Sequence, residues 1–143
     1  MNSQKSLWGD LSQPEIVRTP FTILKEQAAI LSKATNGLLV GDVERFQNQG
    51  QQNVVSTLVL RVVAPSLDNY NYSVLEVTHN IKLYPLKLRN SATPGYEKQC
   101  DSEEAFEEAL GEILSSAEVR KVISALLSDI YANTVDPDSD VDF

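Results

Sequence analysis

Two long apolar stretches, residues 53–64 and 70–83, constrain the fold more than any other part of the sequence. Both are rich in valine, leucine and other residues that favour β-strands. Only residues 65–69 separate them, and the composition Pro-Ser-Leu-Asp-Asn is typical of a turn. A short turn joins antiparallel strands, because parallel strands need a crossover of about a dozen residues or more. The sequence therefore predicts an antiparallel pair that the other elements flank.

The alternation of side chains predicts which faces of these strands are buried. Residues 53–64 are largely apolar on both faces, which indicates a central strand that is partly covered on each side. Residues 70–83 have one apolar face and one polar face, which indicates a core side and a solvent side. The predicted core side comprises Leu75, Val77, His79, Ile81 and Leu83.

Further strands are expected on both sides of this pair. Residues 38–46 read as a first strand, in which Gly41 marks either a bulge or a close approach of a helix. After Leu83 the apolar alternation changes phase, and Pro85 excludes a normal place in a central strand. Residues 84–88 are therefore predicted as a kinked edge strand. The following segment, up to Gln99, has the composition of an exposed loop.

Helices are predicted at both ends of the chain. Thr19 and Pro20 have the residue types of a helix start, and Asn36-Gly37 supplies a left-handed stop. Near the C-terminus, Asp101 with Glu104 and Ser115 with Glu118 have the spacing of capping boxes that open two more helices. These three helices are expected over residues 20–35, 102–114 and 116–131.

Together these elements predict an α+β fold. The sheet is a three- to four-stranded antiparallel meander, with helices packed on one face. Its strands lie at about 38–46, 53–64, 70–83 and 84–88. Residues 1–133 are predicted to form one domain, and residues 134–143 a flexible acidic tail. The apolar residues of the first 18 positions predict a segment pinned across the domain, and they are Leu7, Trp8, Leu11, Ile16 and Val17.

The composition gives an expected location. The first ten residues lack the apolar core of a signal peptide, and no stretch approaches the roughly 18 apolar residues of a membrane span. The lone cysteine, Cys100, is typical of a reducing compartment. A cytoplasmic protein without membrane contact is therefore expected, although a signal-independent secretion route would leave the same pattern.

The charge is concentrated in the C-terminal third. Residues 1–96 hold nine basic and seven acidic residues, whereas residues 97–143 hold three and thirteen. This imbalance argues against nucleic-acid binding through the C-terminal third, because phosphate contacts need clustered lysine and arginine. It favours a protein partner, above all a basic one. The predicted partner-binding residues are Glu103, Glu104, Glu107, Glu108, Glu112, Asp136, Asp138, Asp140, Asp142 and Phe143.

Residues that could carry chemistry form no recognisable catalytic or metal-binding motif. His79 is the only histidine and lies on the predicted core face, which favours a hydrogen-bonded structural role. A Cys100–His79 pair is the remaining nucleophilic option, but no flanking motif supports it. The tail aspartates are spaced like the first ligands of an EF-hand, yet position six is Val141, where that loop needs glycine. No enzymatic activity, cofactor or metal is expected.

Three hypotheses of function follow. The first is a non-enzymatic interaction protein that binds a partner through its acidic C-terminal helices or tail. The second is a structural subunit of a larger assembly, including a homo-oligomer, and the third is a small-molecule or enzymatic site in the sheet concavity near His79. The small size, acidity and element order are similar to those of secretion chaperones and of immunity or antitoxin proteins. That resemblance is one of fold style, carried by no motif residues, and secretion chaperones place further strands after their middle helix.

Overall fold

The computed structural model describes residues 5–12, 15–49 and 54–134. These residues form three α-helices and five β-strands, with a 3-10 turn at Pro65–Leu67. The helices are α1 (Pro20–Ala34), α2 (Glu103–Leu114) and α3 (Ala117–Thr134); the strands are β1 (Val40–Gln49), β2 (Val54–Ala64), β3 (Tyr70–His79), β4 (Leu86–Asn90) and β5 (Glu97–Cys100). The predicted α+β class, antiparallel meander and helix order are confirmed, with five strands in place of three to four.

Every strand of the sheet pairs antiparallel with its neighbour in sequence, in the order β1-β2-β3-β4-β5. One face of the sheet is covered by the helices, and its buried side chains join those of α1, α2 and α3 in one core cluster. The other face carries alternating polar and apolar residues such as Thr57, Val59 and Thr78, which the register places on the side away from Leu58 and Val77.

A register shift in the β2–β3 pair corrects one burial prediction. Leu60 pairs with Leu75, but the next residue, Arg61, pairs with Ser73, so Val74 is an extra residue in β3. Both Val74 and Leu75 are buried as a result. The alternation had placed Val74 on the solvent side, which is wrong because a β-bulge resets the phase of the strand.

The prediction that β3 continues to residue 83 is wrong. The strand ends at His79, and the Asn80 side chain accepts a hydrogen bond from the Lys82 backbone N–H at 2.8 Å. Leu83 lies in the left-handed region with φ 77°, and the Tyr84–Pro85 peptide bond is cis. A side chain that bonds two residues ahead favours a turn over a strand. Ile81, predicted to be buried, is therefore 81% exposed in this turn.

The turn also changes the place of the following strand. Leu86 to Asn90 form β4, which pairs with β3 on one side and with β5 on the other. The expected edge strand is thus an interior strand, and the edge is β5, in a segment predicted to be a loop. The sequence did not predict β5 because its composition is polar. Three of its four residues are exposed and only Cys100 is buried.

The ends of α1 agree with their predicted signals. The Thr19 hydroxyl accepts a hydrogen bond from the Thr22 backbone N–H at 3.0 Å, and Pro20 is the first helical residue. Asn36 and Gly37 have φ values of 53° and 80°, the left-handed conformation expected for a helix stop.

The caps of α2 and α3 are one residue from their predicted positions. Ser102 caps α2, since its hydroxyl accepts from the Ala105 N–H at 3.1 Å, whereas Asp101 accepts from the Gln99 side chain. The hydroxyl of Ser116, which precedes α3, accepts from the Val119 N–H at 3.3 Å. Two adjacent residues with capping side chains cannot be ranked by spacing alone, and this explains both shifts.

Gly41 lets α1 and β1 approach closely. Of the two predicted explanations for this glycine, a bulge or a close approach of a helix, the structure shows the second. A Cβ atom built on Gly41 would lie 2.5 Å from the Cα of Ala28 and 2.6 Å from its carbonyl oxygen. The Gly41 N–H donates to the Ser32 hydroxyl at 3.1 Å, and that hydroxyl donates to the Ala28 carbonyl at 3.1 Å. The helix and the edge of the sheet are therefore in direct backbone contact.

The prediction of a pinned N-terminal segment is wrong. Leu7, Trp8 and Ile16 are 92%, 81% and 82% exposed, and Leu11 and Val17 are exposed as well. Their apolar character predicted burial, but no surface of the described chain covers them. At the other end, Thr134 is the last residue of α3, and the predicted tail beyond it lies outside the described residues. No helix in the described ranges is long and apolar enough to cross a membrane.

Candidate interaction surface

The five glutamates of α2 form two separate rows. A helix turns by about 100° per residue, so residues four apart lie on one side of it. Glu103 and Glu107 form one row, while Glu104, Glu108 and Glu112 form the other. All five are predicted partner-binding residues, whereas the structure gives the two rows different surroundings.

The first row faces Arg18. The Arg18 guanidinium lies 3.3 Å from Glu103 Oε2 and 3.4 Å from Glu107 Oε2, and it also pairs with Glu26 of α1. One arginine thus joins the segment before α1, α1 itself and α2. Partly exposed ion pairs contribute only about 0–1 kcal/mol each, so the role of this cluster is mainly to fix how the elements are arranged.

Tyr84 completes the arginine cluster from the β3–β4 turn. Its hydroxyl donates to the Arg18 carbonyl oxygen at 3.0 Å. Burial, together with the negative charges of Glu103 and Glu107, raises the pKa of Tyr84 to about 12. The turn after β3 is therefore fastened to the start of α1 through a phenol that stays neutral.

Replacing Tyr84 with phenylalanine is expected to cost about 0.5–1.5 kcal/mol of unfolding free energy at neutral pH, because one hydrogen bond is lost. A tyrosine pKa that is higher in the folded state stabilises the fold below pH 10 and ceases to do so as the pH rises through about 12. Urea unfolding of both proteins across this window is the measurement. The difference between them should shrink with rising pH; a constant difference would contradict the raised pKa.

The second row, Glu104, Glu108 and Glu112, is exposed and has no ion pair in the part of the chain that the structure describes. Like charges four residues apart destabilise a helix by about 0.2–0.5 kcal/mol per pair. Glu112 is also close to the C-terminal end of α2, where the helix dipole disfavours a negative charge. We call these three residues the acidic row.

An apolar groove lies beside the acidic row, between α1 and the α2–α3 pair. Its volume is about 680 Å³. The floor is formed by Leu60, Val62 and Val74, and its walls include Ile30 of α1 and Ile123 of α3. Ile30 is 57% exposed, so the groove is open to solvent along α1. The gap between the helices leaves this apolar residue uncovered.

The groove and the acidic row share α2. Gly111 and Glu107 line the groove, and Gly111 lies three residues after Glu108 and seven after Glu104. Residues at these spacings are on adjacent positions of one helix side. An apolar surface thus runs directly into a negatively charged one.

His79 lies at the far end of the sheet, beside a shallow depression of about 290 Å³. It is half-buried, where the sequence predicted a core residue, and its Nδ1 donates to the Asn80 carbonyl oxygen at 2.7 Å. Ser56 lies opposite His79 in the β2–β3 pair, but no hydrogen bond joins the two side chains. His79 is therefore a structural residue at the C-terminal end of β3.

Cys100 and His79 do not form a catalytic pair. His79 pairs with Leu86, and Leu86 pairs with Cys100, so a complete strand lies between the two. Two strand spacings amount to about 10 Å, whereas a nucleophile and its base need about 3 Å. Cys100 is fully buried, and burial raises the pKa of its thiol; Lys98 opposes this rise and Asp101 adds to it. A buried neutral thiol is a poor nucleophile.

Part of the predicted partner-binding set cannot be placed. Asp136, Asp138, Asp140, Asp142 and Phe143 lie outside the described residues. Within residues 5–12, 15–49 and 54–134, no three histidine, cysteine or acidic side chains come together as metal ligands. The residue that sequence reasoning missed is Arg18; its only signal was a lone arginine directly before a helix cap.

Comparison with protein-family models, with curated proteins and with solved structures found no match for this chain. Its function must therefore be argued from the surfaces described above. Among these surfaces, the acidic row lacks ion-pair partners and the groove lacks a covering element in the described part of the chain.

Proposed function

We propose that the protein is a non-enzymatic interaction protein that binds a basic partner protein through the acidic row on α2. The observation that carries the proposal is a row of three exposed carboxylates that form no ion pair with any lysine or arginine among the described residues. Glu103 and Glu107 on the same helix form ion pairs with Arg18, whereas the acidic row has none among the described residues.

The energetics of the row support a partner of opposite charge. Its mutual repulsion weakens α2 in the free protein, and lysine or arginine side chains from a partner would relieve that repulsion. Exposed charge pairs contribute roughly 0.2–1 kcal/mol each, so three pairs amount to about 0.6–3 kcal/mol. This corresponds to a change of about 3- to 150-fold in affinity. The charge also accelerates encounter with a basic protein at low salt.

The neighbouring tail would add to this attraction. Asp136, Asp138, Asp140 and Asp142 follow α3 in sequence, and Phe143 offers an apolar anchor. In this proposal the row gives orientation and the tail adds charge. Escorting or neutralising a basic partner is the activity that such a surface would serve.

The test compares two variants with the same change in net charge. The row variant carries Glu104→Gln, Glu108→Gln and Glu112→Gln. The control carries Asp68→Asn, Glu97→Gln and Asp129→Asn, three exposed residues that form no ion pair with the rest of the described chain. Each protein is immobilised, exposed to an extract of its source cells, and eluted with increasing salt. Mass spectrometry then quantifies the captured proteins.

We expect a basic protein to be held by the wild type and by the control, and to be reduced about tenfold or more on the row variant. Moderate salt should elute this basic protein from the wild type and from the control only. A third protein ending at residue 134 separates the contribution of the tail. Equal capture by the row variant and the control, or loss only on removal of the tail, would overturn the assignment to α2.

A further inference from the structure

The apolar residues of the N-terminal segment are not covered by any other residue in the described part of the chain. We define this segment as residues 5–12 and 15–17; its large apolar side chains are Leu7, Trp8, Leu11, Ile16 and Val17, all of them exposed. Trp8 is the only tryptophan in the chain. Five large apolar residues exposed within eleven positions indicate a surface that is covered by another molecule or by another part of the same one.

The groove is the complementary surface. Its lining is mostly apolar, with four polar side chains, Gln27, Glu107, Ser115 and Arg120. It remains open at Ile30, and its volume of about 680 Å³ falls in the usual range for pockets that enclose a ligand. An apolar segment with a tryptophan fits such a groove, since aromatic anchors in desolvated pockets are typical of tight interfaces.

The segment begins at one end of the groove. Arg18, the residue that follows it, lies 3.4 Å from Glu107, which lines the groove. Ile16 and Val17 are nevertheless exposed, so the chain leaves the protein at this point and does not turn into its own groove. We propose that the groove receives the N-terminal segment of a second copy of this chain, and that two copies exchange segments around a two-fold axis.

The buried area is sufficient for such a dimer. Full burial of a large apolar side chain contributes about 1.5–3 kcal/mol at roughly 25 cal/mol per Å², which corresponds to about 60–120 Å². Five side chains then give about 300–600 Å² per docked segment. A two-fold exchange doubles this to roughly 600–1,200 Å² from the segments alone, and the groove surface that they cover brings the total into the range of the about 1,200–2,000 Å² that stable interfaces bury.

Salt separates this contact from the partner binding proposed above. Each copy has a net charge of −8, so two copies repel each other, and screening strengthens an apolar contact between them. Binding of a basic partner through the acidic row weakens with salt instead. Failure of one proposal is therefore visible without failure of the other.

The experiment uses two complementary variants of the full chain. Trp8→Ala has a defective segment, an intact groove and no tryptophan. Ile30→Glu has an intact segment but a charge at the groove wall. Ile81→Glu is the matched control, because Ile81 is also exposed but lies in the β3–β4 turn, away from the groove. Sedimentation over a concentration series measures self-association, and Trp8 emission measures docking.

We expect the wild type and Ile81→Glu to dimerise. Trp8→Ala and Ile30→Glu should each self-associate at least tenfold more weakly. Adding the tryptophan-free Trp8→Ala protein to Ile30→Glu should shift Trp8 emission to shorter wavelength, because one intact segment then meets one intact groove. The double variant, Trp8→Ala with Ile30→Glu, offers no groove and should cause no shift.

Three results would overturn the exchange. A monomer with solvent-exposed Trp8 at every concentration would exclude self-docking. A buried Trp8 whose emission is independent of concentration would assign the groove to the chain's own segment. A dimer that neither Trp8→Ala nor Ile30→Glu weakens would place the contact between copies on another surface.

Discussion

Replacing Gly41 with alanine is expected to destabilise the protein by about 3 kcal/mol or more. The added methyl group would meet the Cα, carbonyl oxygen and Cβ of Ala28 at 2.5, 2.6 and 2.7 Å. Two of these atoms belong to the backbone of α1, so no side-chain rotation relieves the overlap. Overpacking of this kind costs typically about 1–3 kcal/mol, and more where the neighbour cannot move. Urea unfolding followed by circular dichroism gives the free energy.

Gly111 provides the matched control for this substitution. It lies in the last turn of α2, and a Cβ built on it meets nothing within 4 Å. Gly111→Ala should therefore stabilise the protein by roughly 0.5–1 kcal/mol, the usual gain for glycine to alanine in a helix.

A double variant, Gly41→Ala with Ala28→Gly, tests the cause. It removes only the contact to the Ala28 side chain, so most of the loss in stability should remain. Full rescue would show that the backbones are not in contact. The result bears on the groove too, because the Gly41 contact fixes the position of α1, which forms one groove wall.

Cys100 is expected to react with iodoacetamide at least about 100-fold more slowly in the folded protein than in denaturant. The side chain is fully buried, so alkylation needs an opening of the structure. Burial also raises the pKa of the thiol, which lowers the fraction of reactive thiolate. The measurement is the alkylation rate, followed by mass spectrometry, with and without urea.

The control moves the thiol by one residue. Gln99 is exposed and points to the opposite face of β5, so Gln99→Cys in a Cys100→Ala background should react at nearly the unfolded rate. Rapid alkylation of Cys100 in the folded wild type would contradict this burial and would revive a thiol-based activity. Slow alkylation would argue against a nucleophilic role of Cys100 and would favour the interaction hypothesis.

The sequence determined the elements that depend on local signals. The start of α1 at Thr19-Pro20 and its stop at Asn36-Gly37 follow from residues next to each other in the chain, and the structure confirms both. The central pair of strands could be predicted because its alternation has a period of two and its linker is too short for a crossover. Gly41 could also be singled out from the sequence, because glycine weakens the interior of a strand and often marks a bulge or a close approach.

Only the tertiary structure decided which of the apolar and charged residues meet a counterpart. Trp8 and Ile30 are large apolar residues of the kind that fill cores, but they stay exposed because no element among the described residues covers them. The five glutamates of α2 look alike in sequence; Arg18, 85 residues before Glu103, forms ion pairs with two of them and with none of the acidic row. Local patterns state what a side chain prefers, whereas its burial and pairing depend on distant residues, and it is from those distant contacts that both proposals arise.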